Sequence, residues 1–76
     1  MYTIRKAWYE NEIVCILLSD NREVCFPVNM NDKLRDASLE KVSNIKIICG
    51  GTGLHWPDLD EDLSVVGILE GRFGKV

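Results

Sequence analysis

Four carboxylates fall within five residues, at Asp58, Asp60, Glu61 and Asp62, and just ahead of them stands the chain's one histidine, His55. Alternating carboxylates are the donor set of hard cations such as calcium and magnesium. An EF-hand loop starting at Asp58 needs a glycine in its middle and a glutamate at its end, and finds Leu63 and Leu69 there. The cluster is therefore read as structural, with a partner-binding patch and a metal site as the lesser alternatives. Acids just before Ser64 favour the positive end of a helix that starts at that residue. His55 as a general base would need a nucleophile to activate and a carboxylate to orient it. Asp58 and Asp60 are near in sequence, but no serine or cysteine is placed to be activated. The run Gly50-Gly51-Thr52-Gly53 lacks the lysine of a phosphate-binding loop and opens onto Leu54-His55-Trp56-Pro57, not onto a helix. It is read as a tight hairpin turn. No catalytic residue, metal or cofactor is assigned, and the chain is not expected to be an enzyme.

Cys15, Cys25 and Cys49 are odd in number and widely spaced, which argues against a disulfide framework. Each sits in an apolar, strand-like context and is read as a free, buried small hydrophobe. That usage points to a reducing cytoplasm. A zinc site from the three cysteines and His55 has no C-x-x-C pair to seed it. The net charge is −3 with nine scattered Lys and Arg, so the electrostatic footprint of nucleic-acid binding is weak. No apolar run approaches the length that spans a bilayer, the longest being Ile13–Leu18, and no apolar segment follows Arg5 and Lys6 as in a signal peptide. A membrane partner is not expected.

The elements that must hold these residues follow from periodicity. At 76 residues, 46% hydrophobic and 28% charged, the chain is one globular domain over 1–76, near the lower size limit for independent folding. Residues 2–9 alternate imperfectly, as a half-buried strand does. Glu10-Asn11-Glu12 turns the chain. Residues 13–18 are apolar on both faces and read as a central strand. Ser19–Arg22 is a second turn and residues 23–28 a third strand, in which Pro27 cannot donate to a ladder. Residues 29–32 connect to a short helix within 34–44, with Ser38 as its N-cap. Residues 45–49 and 54–56 form a second hairpin around the glycine turn. Ser64 caps a last helix over 64–70, with Leu63 and Ile68 spaced as a hydrophobic staple and Gly71 as its C′ glycine. Gly67 within that helix is explained by a close approach to the sheet. Residues 72–76 read as a frayed tail. The fold class is α+β, an antiparallel meander plus a second short hairpin with two short helices. Its sheet is expected to carry Ile4, Trp8, Ile16, Val24, Phe26, Ile47 and Trp56, with Leu69 facing the core.

Three segments together resemble a bacterial family, domain of unknown function 2442. They are Arg35-Asp36-Ala37-Ser38, the run from Gly50-Gly51-Thr52-Gly53-Leu54-His55-Trp56-Pro57 through Asp58-Leu59-Asp60-Glu61-Asp62-Leu63-Ser64-Val65, and Gly67-Ile68-Leu69-Glu70-Gly71. The meander from Ile4 to Val28 also fits. The resemblance implies a small α+β domain with an antiparallel sheet and short helices, and no established enzyme activity. Some relatives resemble this domain joined to a helix-turn-helix module. Others sit beside a second small protein family in arrangements that look like toxin–antitoxin pairs.

The expectation is a small cytoplasmic interaction or regulatory protein, antitoxin-like, that binds a small protein encoded nearby. A DNA-associated regulator acting as a homodimer is the alternative, although the sequence ends at Val76 without a helix-turn-helix. A small metal-dependent enzyme is the third and least supported reading. The candidate contact residues are Trp8 and Tyr9, on a strand edge that could pair with a partner, together with His55, Asp58, Asp60, Glu61 and Asp62.

Overall fold

A computed structural model describes residues 2–73. Two tight turns fold the first part of the chain into an antiparallel meander, sheet A. Its strands are β1 (Ile4–Glu10), β2 (Ile13–Leu18) and β3 (Glu23–Pro27), in the order β1-β2-β3. Asn11 and Glu12 make the first turn with φ of 50° and 64°, the primed geometry whose twist matches that of the strands. Asn21, at φ 71°, supplies the left-handed residue of the second. Pro27 ends β3 on the sheet's free edge, where its missing N–H breaks no ladder.

One irregularity in β1 decides which side chains enter the core. Ile4 pairs with Leu18 and Lys6 with Leu17, so one extra residue is inserted in β1. A bulge of this kind reverses the parity of everything after it. Ile4 is buried ahead of the bulge, and Ala7 and Tyr9 pack on the core beyond it. Trp8, paired with Cys15, faces the other way. The expected core position of Trp8 is therefore corrected, because simple alternation from Ile4 carries across no bulge.

Sheet B holds β4 (Lys46–Ile48), β5 (Gly53–Trp56) and β6 (Glu61–Ser64), also antiparallel and in sequence order. The expected second hairpin is thus extended by a third strand over the acidic run, and the core side chains are divided between two sheets. A one-turn 3-10 segment, Cys49–Gly51, joins β4 to β5. Cys49, Gly50 and Gly51 all have positive φ, at 54°, 64° and 97°. Gly51 is doubly constrained, since a Cβ there would lie 2.9 Å from the Thr3 Cβ and 3.3 Å from the Ile4 amide nitrogen.

Three short α-helices close the core. The single helix expected over 34–44 is two, α1 (Asp32–Arg35) and α2 (Leu39–Ser43), each with its own cap. Asn31 accepts from the Lys33 and Leu34 amides, and Ser38 from the Lys41 amide. α3 (Val65–Leu69) begins at Ser64, whose Oγ accepts from the Gly67 amide at 2.9 Å. It ends in a Schellman motif: Arg72 N–H donates to the Gly67 carbonyl and Gly71 N–H to the Ile68 carbonyl, with Gly71 at φ 81°. Leu63 and Ile68 are both buried at the two staple positions. Leu69 is 39% exposed, so the inward residue of α3 is Ile68. A Cβ on Gly67 would meet the Ser64 Oγ at 3.0 Å and the Arg72 carbonyl oxygen at 3.4 Å. The close approach is to its own caps and not to the sheet.

One apolar cluster receives Val14, Ile16, Leu18 and Phe26 from sheet A, Leu54, Trp56 and Leu63 from sheet B, and Leu34, Val42, Val65 and Ile68 from the helices. Burying each such side chain contributes about 1.5–3 kcal/mol. Trp56 is fully buried and satisfies its indole by donating to the Val42 carbonyl at 3.0 Å, which ties β5 to α2. Ile47 is 42% exposed at the edge of sheet B and leaves the expected core list. Phe73 stacks on Phe26 with ring centroids 4.6 Å apart, and its carbonyl accepts from Asn31. The expected frayed tail is therefore docked at Phe73, while residues 74–76 lie outside the described residues. Among the described residues, no helix is long and apolar enough to cross a membrane.

Candidate functional site

The outer face of sheet B carries a row of polar side chains across its three strands, because Lys46, His55 and Asp62 occupy one register position on β4, β5 and β6. His55 Nδ1 lies 2.5 Å from Asp62 Oδ1. The carboxylate that orients His55 is thus Asp62, reached across the hairpin, and neither Asp58 nor Asp60. This contact turns Nε2 away from the pair, the arrangement a histidine base requires. Ser64 shares the face but uses its Oγ to cap α3. The neighbouring concavity, lined by Cys49, Thr52, Gly53, Asp62 and Ser64, is an open groove of about 500 Å³. Such a surface offers a reacting group few walls to exclude water.

The four clustered carboxylates do not act together. Asp58 accepts from the Asn44 amide at 3.0 Å. Asp60 has φ 50° in the β5–β6 turn, and Lys33 Nζ donates to its backbone carbonyl at 2.7 Å. Glu61 accepts from Asn31 Nδ2 at 2.8 Å and, through its other oxygen, from the Asp62 amide at 3.0 Å. Asp62 turns to His55. The strand β6 sends Glu61 and Asp62 to opposite faces, so density in sequence does not become density in space. α3 carries no acid within its own first turn, and the expected cap, Ser64, accepts from the Gly67 amide there.

Trp8 and Tyr9 are likewise separated. Tyr9 packs on the core and Trp8 stands on the outer face of sheet A, so they form no aromatic surface pair. β1 is an edge strand of sheet A, with β4 and α2 close by. The outer face of sheet A holds Lys6, Trp8 and Glu10 on β1, Ile13, Cys15 and Leu17 on β2, and Glu23, Cys25 and Pro27 on β3. Ile13 is 39% exposed, and Cys25 and Pro27 are exposed as well.

Cys15 and Cys25 stand directly opposite each other in the ladder, Cα–Cα 4.1 Å, and form a cross-strand disulfide. This corrects the expectation of three free buried thiols. Cys25 is exposed on the edge strand, and Cys49, the free thiol, is exposed in the turn after β4. The antiparallel register that closes the meander is what makes the pair.

A family model described as "Protein of unknown function (DUF2442)" matches residues 4–74. The chain belongs to this family. The DUF2442 fold seen here is shared by two solved structures. A protein of unknown function from Rhodospirillum rubrum is 32% identical, with a TM-score of 0.89 over 99% of this chain and 93% of that one. An uncharacterized protein from Chromobacterium violaceum is 30% identical, with a TM-score of 0.82 over 97% of this chain and 70% of that one. No curated protein matches the sequence.

Two features of this DUF2442 chain were missed from sequence, and both had a signal. Asn31 is fully buried, accepting from two α1 amides and donating to Glu61 and to the Phe73 carbonyl. Asn is among the strongest N-cap residues, and Leu34 follows at the spacing of a first buried turn. For the cysteines, the turn is one residue shorter than Ser19–Arg22: Leu18 and Arg22 close a three-residue loop, and counting outward from that pair brings Cys15 opposite Cys25.

Proposed function

We propose that this chain is a small, non-enzymatic interaction module of the cytoplasm, whose partner docks on the outer face of sheet A. One observation carries the reading: that face presents Trp8, Ile13, Leu17, Cys25 and Pro27 away from the core. An antiparallel sheet with one face on the core ordinarily shows polar residues on the other. An apolar strip on such a face, framed here by Lys6, Glu10 and Glu23, is a mark of interaction sites, and the half-buried Trp8 on its β1 side suits a hot spot. The partner in this proposal is a small protein encoded nearby, as the antitoxin-like resemblance suggests. The acidic turn is secondary. Glu61 is engaged internally, whereas Asp58 and Asp60 at the turn can steer a basic partner. The open setting of the His55–Asp62 pair supports a non-enzymatic reading. A cytoplasmic setting accommodates the Cys15–Cys25 disulfide as a redox-responsive pair, the form such bonds take there.

The test uses the purified chain and the product of the adjacent gene. Trp8→Ala should weaken their association about 30-fold, the effect of losing a hot spot. Asp58→Lys with Asp60→Lys should change the salt dependence of association more than its limiting affinity. Failure of the two proteins to associate, or an affinity indifferent to Trp8→Ala and Leu17→Ser, defeats the proposal. Salt-dependent retardation of duplex DNA by the chain alone would favour the homodimeric DNA-associated reading instead.

A further inference from the structure

We infer that the Cys15–Cys25 pair, once reduced, joins Glu23 in a binding site for a thiophilic divalent metal ion, with zinc the best fit. The disulfide and the metal would then be alternative states of one site.

Glu23 and Cys25 are two residues apart on β3 and so share the outer face, with Cys15 opposite Cys25 on β2. The two sulfurs and a Glu23 carboxylate oxygen all lie within 4.8 Å of one another, and Cys25 Sγ is 3.9 Å from Glu23 Oε1. Tetrahedral zinc, with bonds of about 2.3 Å to sulfur and about 2.0–2.2 Å to oxygen, places its donor atoms roughly 3.5–3.8 Å apart. A side-chain rotation at the freed thiols meets that spacing without moving the strands, because the paired ladder already fixes the backbone. Two thiolates and one carboxylate leave a fourth position for water. Thiolate donors select zinc over magnesium or calcium. Glu23 and Cys25 are exposed, so the ion has a path from solvent, while Cys15 at 7% exposure gives the site a shielded inner wall.

The exchange balances with a low-molecular-weight thiol as reductant. Two such thiols break the Cys15–Cys25 bond and leave as their own disulfide, delivering two electrons and two protons to the cysteine sulfurs. Zinc binding then displaces those two protons from the thiols. An oxidising small-molecule disulfide runs the sequence backwards and expels the ion.

The experiment titrates cobalt(II), a spectroscopic stand-in for zinc, into the full chain, oxidised and reduced, without oxygen. The reduced chain should bind one equivalent and develop thiolate-to-cobalt charge-transfer absorption that zinc abolishes. The oxidised chain should show none. Cys25→Ser should lose that absorption and Cys49→Ser should keep it. Glu23→Gln should keep it with affinity lowered about tenfold or more. Circular dichroism of each variant confirms that it is folded, which an exposed edge-strand position such as Cys25 should allow. The inference is overturned if the reduced chain shows no charge-transfer absorption, if Cys25→Ser retains it, if Cys49→Ser removes it, or if Glu23→Gln leaves the affinity unchanged.

Discussion

Substituting Asn31 should destabilise this domain more than its size suggests. Its Oδ1 accepts from the Lys33 and Leu34 amides, both at 2.9 Å, and its Nδ2 donates to Glu61 Oε2 at 2.8 Å and the Phe73 carbonyl at 2.6 Å. One side chain thus starts α1, anchors β6 and docks the segment after α3. Asn31→Ala removes a helix cap worth about 1–2 kcal/mol. It also leaves Glu61 and a carbonyl short of a donor, for a further ~1–3 kcal/mol. A loss of about 3 kcal/mol is a large part of the roughly 4–11 kcal/mol expected of 76 residues. The melting temperature should fall by at least ~12 °C. Asn31→Asp separates the two halves of the role. It keeps the cap acceptor but sets a second carboxylate where an amide donated to Glu61. The fold then favours the protonated form of the introduced carboxyl, raising its folded pKa above the unfolded value of about 3.9. The sign follows: the penalty is absent below the unfolded pKa and grows as pH rises towards the folded one. Chemical denaturation of both variants at acid and neutral pH is the assay. Asn31→Asp should approach wild-type stability in acid relative to neutral pH, and Asn31→Ala should show no such recovery. Adding Glu61→Gln to Asn31→Asp should restore part of the neutral-pH loss. A neutral-pH stability of Asn31→Asp equal to wild type would refute the donor assignment.

Ile68→Ala should cost about 2–5 kcal/mol and Leu69→Ala well under half of that, since Ile68 is 2% exposed and Leu69 39%; equal losses in urea melts would mean that α3 is rotated. The Arg22 backbone N–H, donating at 3.1 Å, holds the Asp20 carboxyl below its ordinary value, with the Arg22 guanidinium adding to the effect. That contribution is present above the unfolded pKa and lost as pH falls through the lowered one. Asp20→Asn should therefore lower the neutral plateau towards the acid value and so flatten the acid limb of the stability curve, and an unchanged acid limb would count against it.

Local chemistry was readable where one residue type meets one backbone need. Asn21 takes the left-handed turn position, Ser64 and Ser38 cap their helices, and Gly71 completes the Schellman turn. Family membership and the α+β class rest on such features, since the run from Gly50 to Gly71 is dense in them. The pairing of Leu63 with Ile68 was equally plain, because the staple is a contact between near neighbours. What escaped was anything that depends on counting across a defect. The bulge after Ile4 carries no residue that announces it, and it moved Trp8 from the core face to the outer face, where it is half-buried. β6 was hidden because Glu61 and Asp62, which open it, have poor strand propensity, and pairing with β5 overrides that preference.

The same parity governs the candidate sites. Read along the chain, Asp58 to Asp62 look like one anionic patch and Trp8-Tyr9 like one aromatic patch. A strand sends neighbours to opposite faces, so adjacency in sequence separates side chains and distance of two gathers them. Glu61 and Asp62 part in this way, as do Trp8 and Tyr9. Glu23 and Cys25, by contrast, are brought together, and the register of β2 with β3 adds Cys15 to them. His55 and Asp62 meet by the same rule in sheet B. The chemistry of this domain is therefore written in cross-strand pairs. Those pairs become visible only once each turn, and each bulge, has set the count.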